Sequence, residues 1–250
     1  MKLHWQVTDA DIQRVRRLIE QQKGNAFVKA RLERNCAAVK EPIGRARFWQ
    51  QMVCMRLTSQ QNSSPNGPVA RFSRQQPFLL GYDIISKSND REGLITRVLN
   101  EWRGIRHVPT IADQLSHNFA MLEQGEWDRS LNECNRLTTN VSRVTEIDVA
   151  RYIQDTFSGF GPKQSRNLLQ SLWLTRYEIP IDSRVIDWLN EEFQFPVRLS
   201  SEALSDINYY IFVSDGIQEL CEKSGVIPCV FDAAIFALKD GDNWTAENAF

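Results

Sequence analysis

At 250 residues, with 42% apolar and 24% charged side chains and a net charge of −1, the chain is sized for one large globular domain or two intimate ones. It holds no run of eighteen apolar residues able to span a membrane, and its start, "MKLHWQVTDADIQRV", lacks the apolar centre of a secretory leader. Cys36, Cys54, Cys134, Cys221 and Cys229 form no C-x-x-C pair, and His4, His107 and His117 are dispersed, which argues against a metal site and for reduced thiols in a cytoplasmic protein.

The dominant period along the chain is helical. The first helix follows Thr8 and Asp9 and places Ile12, Val15, Leu18 and Ile19 on one face. Further helices are expected over 26–37, 45–60, 91–103, 111–123, 127–137, 145–157, 163–173, 183–193, 201–211, 214–224 and 229–238. "SSPNGP" at 63–68, "SKSND" at 86–90, "GFGP" at 159–162 and "YEIP" at 177–180 break them. A short extended piece is expected within "QPFLLGYDIIS" at 76–86, but no alternating series is long enough for a sheet. The fold class is all-α. Trp49, Trp102 and Trp188 fall on apolar faces and read as core, whereas Trp173 and Trp244 stand in less regular contexts and are better placed to stack on a ligand.

Charge is unevenly dealt. Residues 1–100 carry 17 Lys/Arg against 8 Asp/Glu, and residues 201–250 carry 2 against 9. Such a division suits a positive face that meets phosphates on an otherwise neutral molecule; uneven solvated helix faces would produce the same count.

One stretch carries more chemistry than the rest. "VARYIQDTFSGFGPKQSRNLLQSL" reads as a helix, a tight glycine turn and a second helix. Gly159 and Gly161 are expected to supply positive φ and close approach to a ligand, and Pro162 suits a first helical position. The amides of such a turn form an anion site that would grip a sugar-phosphate, though a plain helix–helix turn has the same residues. Nineteen residues beyond Lys163 stands Asp182 in "IPIDSRV", an N-cap by its position. A helix over 163–173 is roughly 16 Å long, and residues 174–182 reach some ~25 Å when extended. Asp182 can therefore return to the helix end that holds Lys163.

"FSGFGPKQSRNLL…IPIDSRV" resembles the helix-hairpin-helix and Gly/Pro-Asp signature of the DNA glycosylase superfamily that holds endonuclease III and the 8-oxoguanine DNA glycosylases. The nineteen-residue spacing is similar to that of the 8-oxoguanine enzymes. Upstream, "FWQQMVCMRLTSQQ" resembles the family helix whose polar end enters the gap left by an everted nucleotide, a role that falls on Gln61 with Gln60 beside it. The resemblance implies a two-lobed helical fold, with residues 1–50 packing with 175–250 as one lobe and 51–174 forming the other. The active site would lie in the cleft between them. It implies Lys163 as the amine that forms a Schiff base and Asp182 as the stabilising carboxylate, on double-stranded DNA carrying a damaged or modified base, in a monomer. Only Cys221 and Cys229 follow Asp182, so the iron–sulfur cluster of some relatives cannot form; no cofactor is expected beyond a monovalent cation at the hairpin. Phe231, Asp232 and Phe236 in "IPCVFDAAIF" are the expected pocket residues, although a core helix has the same pattern. The implied reaction is excision of an oxidised base, 8-oxoguanine first, followed by β-elimination. A different modified base, such as a damaged or phage-modified pyrimidine, and a non-enzymatic helix-hairpin-helix DNA-binding module are the alternatives.

Overall fold

The computed structural model describes residues 4–59, 61, 64–193, 198–240 and 245. Thirteen α-helices and no strand occur among the described residues. α1 (Asp9–Gln22) and α2 (Ala26–Asn35) start at side-chain caps: Thr8 and Asp11 form a reciprocal capping box, and Asn25 accepts from the Phe27 amide at 2.8 Å. α3 (Arg45–Leu57) is followed by the short α4 (Pro68–Ser73) and α5 (Tyr82–Ile85). A turn of helix therefore occupies 82–85, where a short extended piece was expected; Gly81 starts it and Ile85 buries its apolar face. α6 (Arg91–Trp102) and α7 (Val108–Met121) come next, and α7 gives way to α8 (Trp127–Thr139) across a kink at Leu122–Glu126, where Gly125 has φ +125. α9 (Arg143–Thr156), α10 (Pro162–Ser171), α11 (Ser183–Phe193), α12 (Ile207–Ser224) and α13 (Pro228–Asp240) complete the order.

Residues 201–211 and 214–224 do not form two helices. α12 runs unbroken through Gly216. A Cβ on Gly216 would lie 2.3 Å from Cε2 of Trp5, so the glycine admits an indole ring against the helix. That ring stacks on Phe212 at 4.7 Å and donates from Nε1 to the Phe212 carbonyl at 2.7 Å, which fastens the N-terminal segment to α12. Gly216→Ala is accordingly expected to destabilise the protein by about 1–3 kcal/mol despite alanine's better helix propensity. Urea titration reads this as a lower midpoint at unchanged slope.

Two apolar cores form. The first extends from Ile43 to Leu174 and centres on α3, where Phe48, Trp49, Met52 and Val53 are fully buried. Phe48 and Trp49, expected with the N-terminal helices, pack here because Trp49 meets Phe119 edge-on at 4.8 Å and Phe48 meets Phe157 at 5.9 Å. The second core joins Val15 and Leu18 of α1 and Phe27 and Val28 of α2 to residues of α11, α12 and α13. The chain passes between the cores near residues 36–43 and again at 174–179. The second crossing leads directly to Asp182.

Candidate active site

The hairpin between α9 and α10 is pinned from below. Phe157 and Phe160 are buried in the first core, and the Asn118 side chain brackets Ser158, donating to its carbonyl at 3.0 Å and accepting from its amide at 2.8 Å. Gly159 has φ +82, and a Cβ there would lie 2.4 Å from Nε of Arg56 and 2.6 Å from Oε1 of Gln114. Those two atoms are themselves hydrogen-bonded at 2.6 Å, so neither can withdraw freely. Gly161 departs from expectation. Its φ of −77 and ψ of −170 are those of an ordinary N-cap residue, and a Cβ there would meet open space. The turn needs its left-handed residue only at Gly159, because Gly161 already has the extended dihedrals from which a helix starts.

Lys163 stands in the first turn of α10, largely removed from solvent, and its side chain lines the main cleft of the molecule. Burial pushes its ammonium below the ordinary value of 10.5; the Asp182 carboxylate opposes that shift and the Arg184 guanidinium adds to it. α10 has no acidic residue in its first turn to compensate, and the positive end of its dipole acts in the same direction as burial.

The return of Asp182 is enforced by buried polar groups. Glu146 of α9, fully buried, accepts from the amides of Arg176, Tyr177 and Glu178 at 2.7, 2.9 and 2.7 Å. Glu178 in turn pairs with Arg166 of α10 at 2.7 Å, and Arg166 also donates to the Pro162 carbonyl at 3.0 Å. The Tyr210 hydroxyl donates to the Ile179 carbonyl at 2.8 Å and accepts from the Ile181 amide at 2.9 Å. The crossing segment is thus tied to α9, α10 and α12 before it reaches Asp182. There Oδ1 accepts from the amides of Arg184 and Val185 at 2.9 and 3.1 Å, the geometry of a helix N-cap. Oδ2 pairs with Nη1 of Arg184 at 2.8 Å, while the other face of that guanidinium pairs with Asp240 at 2.7 Å and its carbon lies 4.4 Å from the Phe236 ring centre. Lys163 and Asp182 therefore sit at two helix N-termini that open into one cleft.

That cleft measures about 980 Å³ and is lined from both cores. One wall is built by α2 and α13. Phe27 and Phe236 stack at 4.6 Å, and Arg31 pairs with Asp232 at 3.0 Å. Gln170 of α10 donates to the same Asp232 oxygen at 2.6 Å. Burial pushes the Asp232 carboxyl up to about 7, with Arg31 pulling it down and Asp182 pushing it further up. The Oε1 of Gln170 is buried and accepts from no described residue. Phe231 is not in this wall. It is fully buried in the second core and meets Trp188 edge-on at 5.2 Å, because one residue along a helix turns the side chain by about 100° from the face shared by Asp232 and Phe236.

Gln61 lines the cleft mouth and is hydrogen-bonded twice to the backbone of Arg106, donating at 3.0 Å and accepting at 2.9 Å. Next to it His107, exposed and also lining the cleft, takes the left-handed conformation at φ 60. Gln60 and Trp244 lie outside the described residues. Trp173 takes a left-handed position, φ 65, immediately beyond α10, where glycine commonly ends a helix. Its ring is engaged by Arg47 at 4.2 Å and Arg34 at 5.2 Å, contacts that offset the backbone strain and place it at the opposite end of α10 from Lys163. Of the cleft residues the sequence reading missed, Phe27, Arg31, Gln170 and His107 carry no local signal of a site. Arg184 alone could have been found, as the cation two residues beyond the capping Asp182.

The all-helical fold has a counterpart among solved structures. The 8-oxoguanine DNA glycosylase of Thermotoga maritima superposes with a TM-score of 0.62 over 92% of this chain and 96% of that one, at 13% sequence identity. No family profile matches the sequence, and no curated protein matches it. At that identity the likeness defines the fold.

Proposed function

We propose that the protein is a bifunctional DNA glycosylase and abasic-site lyase that removes an oxidised base, 8-oxoguanine in the first instance, from double-stranded DNA, acting as a monomer. The observation that carries this reading is that Lys163, an amine whose charge is disfavoured by burial, and Asp182 line one cleft large enough for an everted nucleotide. The amides of the Gly159–Gly161 turn and the α10 N-terminus would hold a backbone phosphate. Gln61 and Gln60 would face the gap in the duplex; entry of Gln61 costs its two bonds to Arg106.

In the chemical step the bond from the base to C1′ breaks and positive charge builds on the sugar, which the Asp182 carboxylate stabilises. The neutral Nζ of Lys163 bonds to C1′, the base leaves with the bonding pair and takes up a proton, and loss of the ring oxygen bond yields a Schiff base. Removal of a C2′ proton then expels the 3′ phosphate. The acceptor set in the cleft supports the choice of base. Guanine oxidised at C8 presents an N–H at N7 where guanine presents a lone pair, and the Gln170 Oε1 and Asp232 carboxyl are acceptors near the Phe27–Phe236 wall.

Duplexes carrying 8-oxoguanine opposite each normal base, alongside duplexes with oxidised or phage-type modified pyrimidines, test this. Release of free base and strand cleavage are followed by chromatography and gel. The expected result is fastest release of 8-oxoguanine. Preferred release of a pyrimidine would reassign the substrate, and tight binding without any release would leave only a DNA-binding module.

A further inference from the structure

The helices that wall the cleft, α2 and α13, meet along three rungs of which the reaction uses two. Phe27 pairs with Phe236 and Arg31 with Asp232; at the far end Cys36 meets Cys229 with sulfurs 3.7 Å apart. Cys36 caps α2 and is partly exposed, whereas Cys229 is fully buried in the first turn of α13. Two cations border the pair. Arg176 donates to the carbonyls of Cys36 and Ala37 at 3.4 and 2.8 Å, its own carbonyl accepts from the Cys229 amide at 2.9 Å, and Lys40 donates to the Leu174 carbonyl at 2.9 Å. The Cys229 thiol and these cations hold the Cys36 thiol below its usual range, and Cys229 is pushed up. The remaining cysteines are buried, and burial pushes them the other way, Cys54 to about 11 and Cys134 to about 12, with Cys221 also raised.

We infer that Cys36 and Cys229 form a peroxide-reactive dithiol, with Cys36 as the attacking and Cys229 as the resolving sulfur. The Cys36 thiolate displaces hydroxide from hydrogen peroxide, giving a sulfenic acid and, with one proton, water. The Cys229 thiol then attacks that sulfur; the S–O bond breaks, a second water leaves and a disulfide remains. In sum, two thiols and one peroxide give one disulfide and two waters. The sulfurs must approach from 3.7 Å to about 2.05 Å, a shift within reach of χ rotation and a small slide of one helix. The product staples the wall that holds Phe27, Arg31, Asp232 and Phe236 at its third rung.

The test uses the full-length protein, treated with stepwise hydrogen peroxide, quenched with an alkylating agent and digested without reductant. The expected first product is a single linked peptide pair, Cys36 to Cys229, reversed by dithiothreitol, while Cys54, Cys134 and Cys221 are alkylated or remain thiols. Cys229→Ser is expected to accumulate a dimedone-reactive sulfenic acid on Cys36; Cys36→Ser is expected to form neither product. First oxidation at Cys54, Cys134 or Cys221, or a linked pair that excludes Cys36, would overturn the inference, as would a Cys229→Ser protein that gives no adduct. These readouts are masses of peptides, so they stand or fall apart from any activity on DNA.

Discussion

Asp182→Asn is expected to slow base release by on the order of 10²–10³-fold while leaving the fold and the affinity for DNA in place. Asparagine caps a helix as well as aspartate does, so the bonds from the Arg184 and Val185 amides can persist. Arg184 keeps its pairing with Asp240 and its contact with the Phe236 ring, and the α11 start stays anchored. What disappears is the one negative charge that the proposed reaction uses to stabilise positive charge on the sugar. If the cleft binds the DNA backbone as proposed, removing an anion from it should tighten DNA binding. Single-turnover release and fluorescence anisotropy separate the two effects. Turnover within a few-fold of the unaltered protein would remove Asp182 from the chemical step.

Lys163→Gln is expected to abolish strand cleavage and covalent capture without lowering stability. The sign follows from burial. The folded-state pKa of Lys163 lies below its unfolded value, so between those values the unfolded chain binds more protons and stability rises with pH. At neutral pH the buried ammonium opposes folding, and a neutral amide relieves that opposition. The thermal midpoint of Lys163→Gln should therefore equal or exceed that of the unaltered protein near pH 7, and the gap should narrow as pH rises towards 10.5, the ordinary lysine value. The cleavage rate of the unaltered protein should rise with pH with an inflection below 10.5. A variant that loses stability steeply would point to Lys163 as a structural group.

Much of the helical order was legible because its signals are local: the helix start at Thr8 and Asp9, a 3.6-residue apolar period, and proline at the start of α10. The proximity of Lys163 and Asp182 was legible for a different reason, since one helix length and one chain length bound their separation. The errors share a cause in long-range packing. The break expected at 212–213 is helical, with Phe212 stacked under Trp5, more than two hundred residues earlier. Gly161 reads like Gly159, but only Gly159 lies under Arg56 and Gln114. Phe231 and Phe236 are both apolar and on one helix, and only the position of α2 decides which of them faces the cleft. Arg31 and Cys36 gain their meaning from Asp232 and Cys229, some two hundred residues away, and no local pattern announces such pairs.

The most direct measurement traps the covalent intermediate. Incubation with an 8-oxoguanine duplex in the presence of borohydride, then proteolysis and mass spectrometry, identifies the amine joined to the sugar. A single deoxyribose adduct on Lys163 is the predicted outcome. An adduct on Lys40, on Lys29 or at the chain's first residue, or released base with no adduct at all, would contradict the assignment of that helix-end amine as nucleophile.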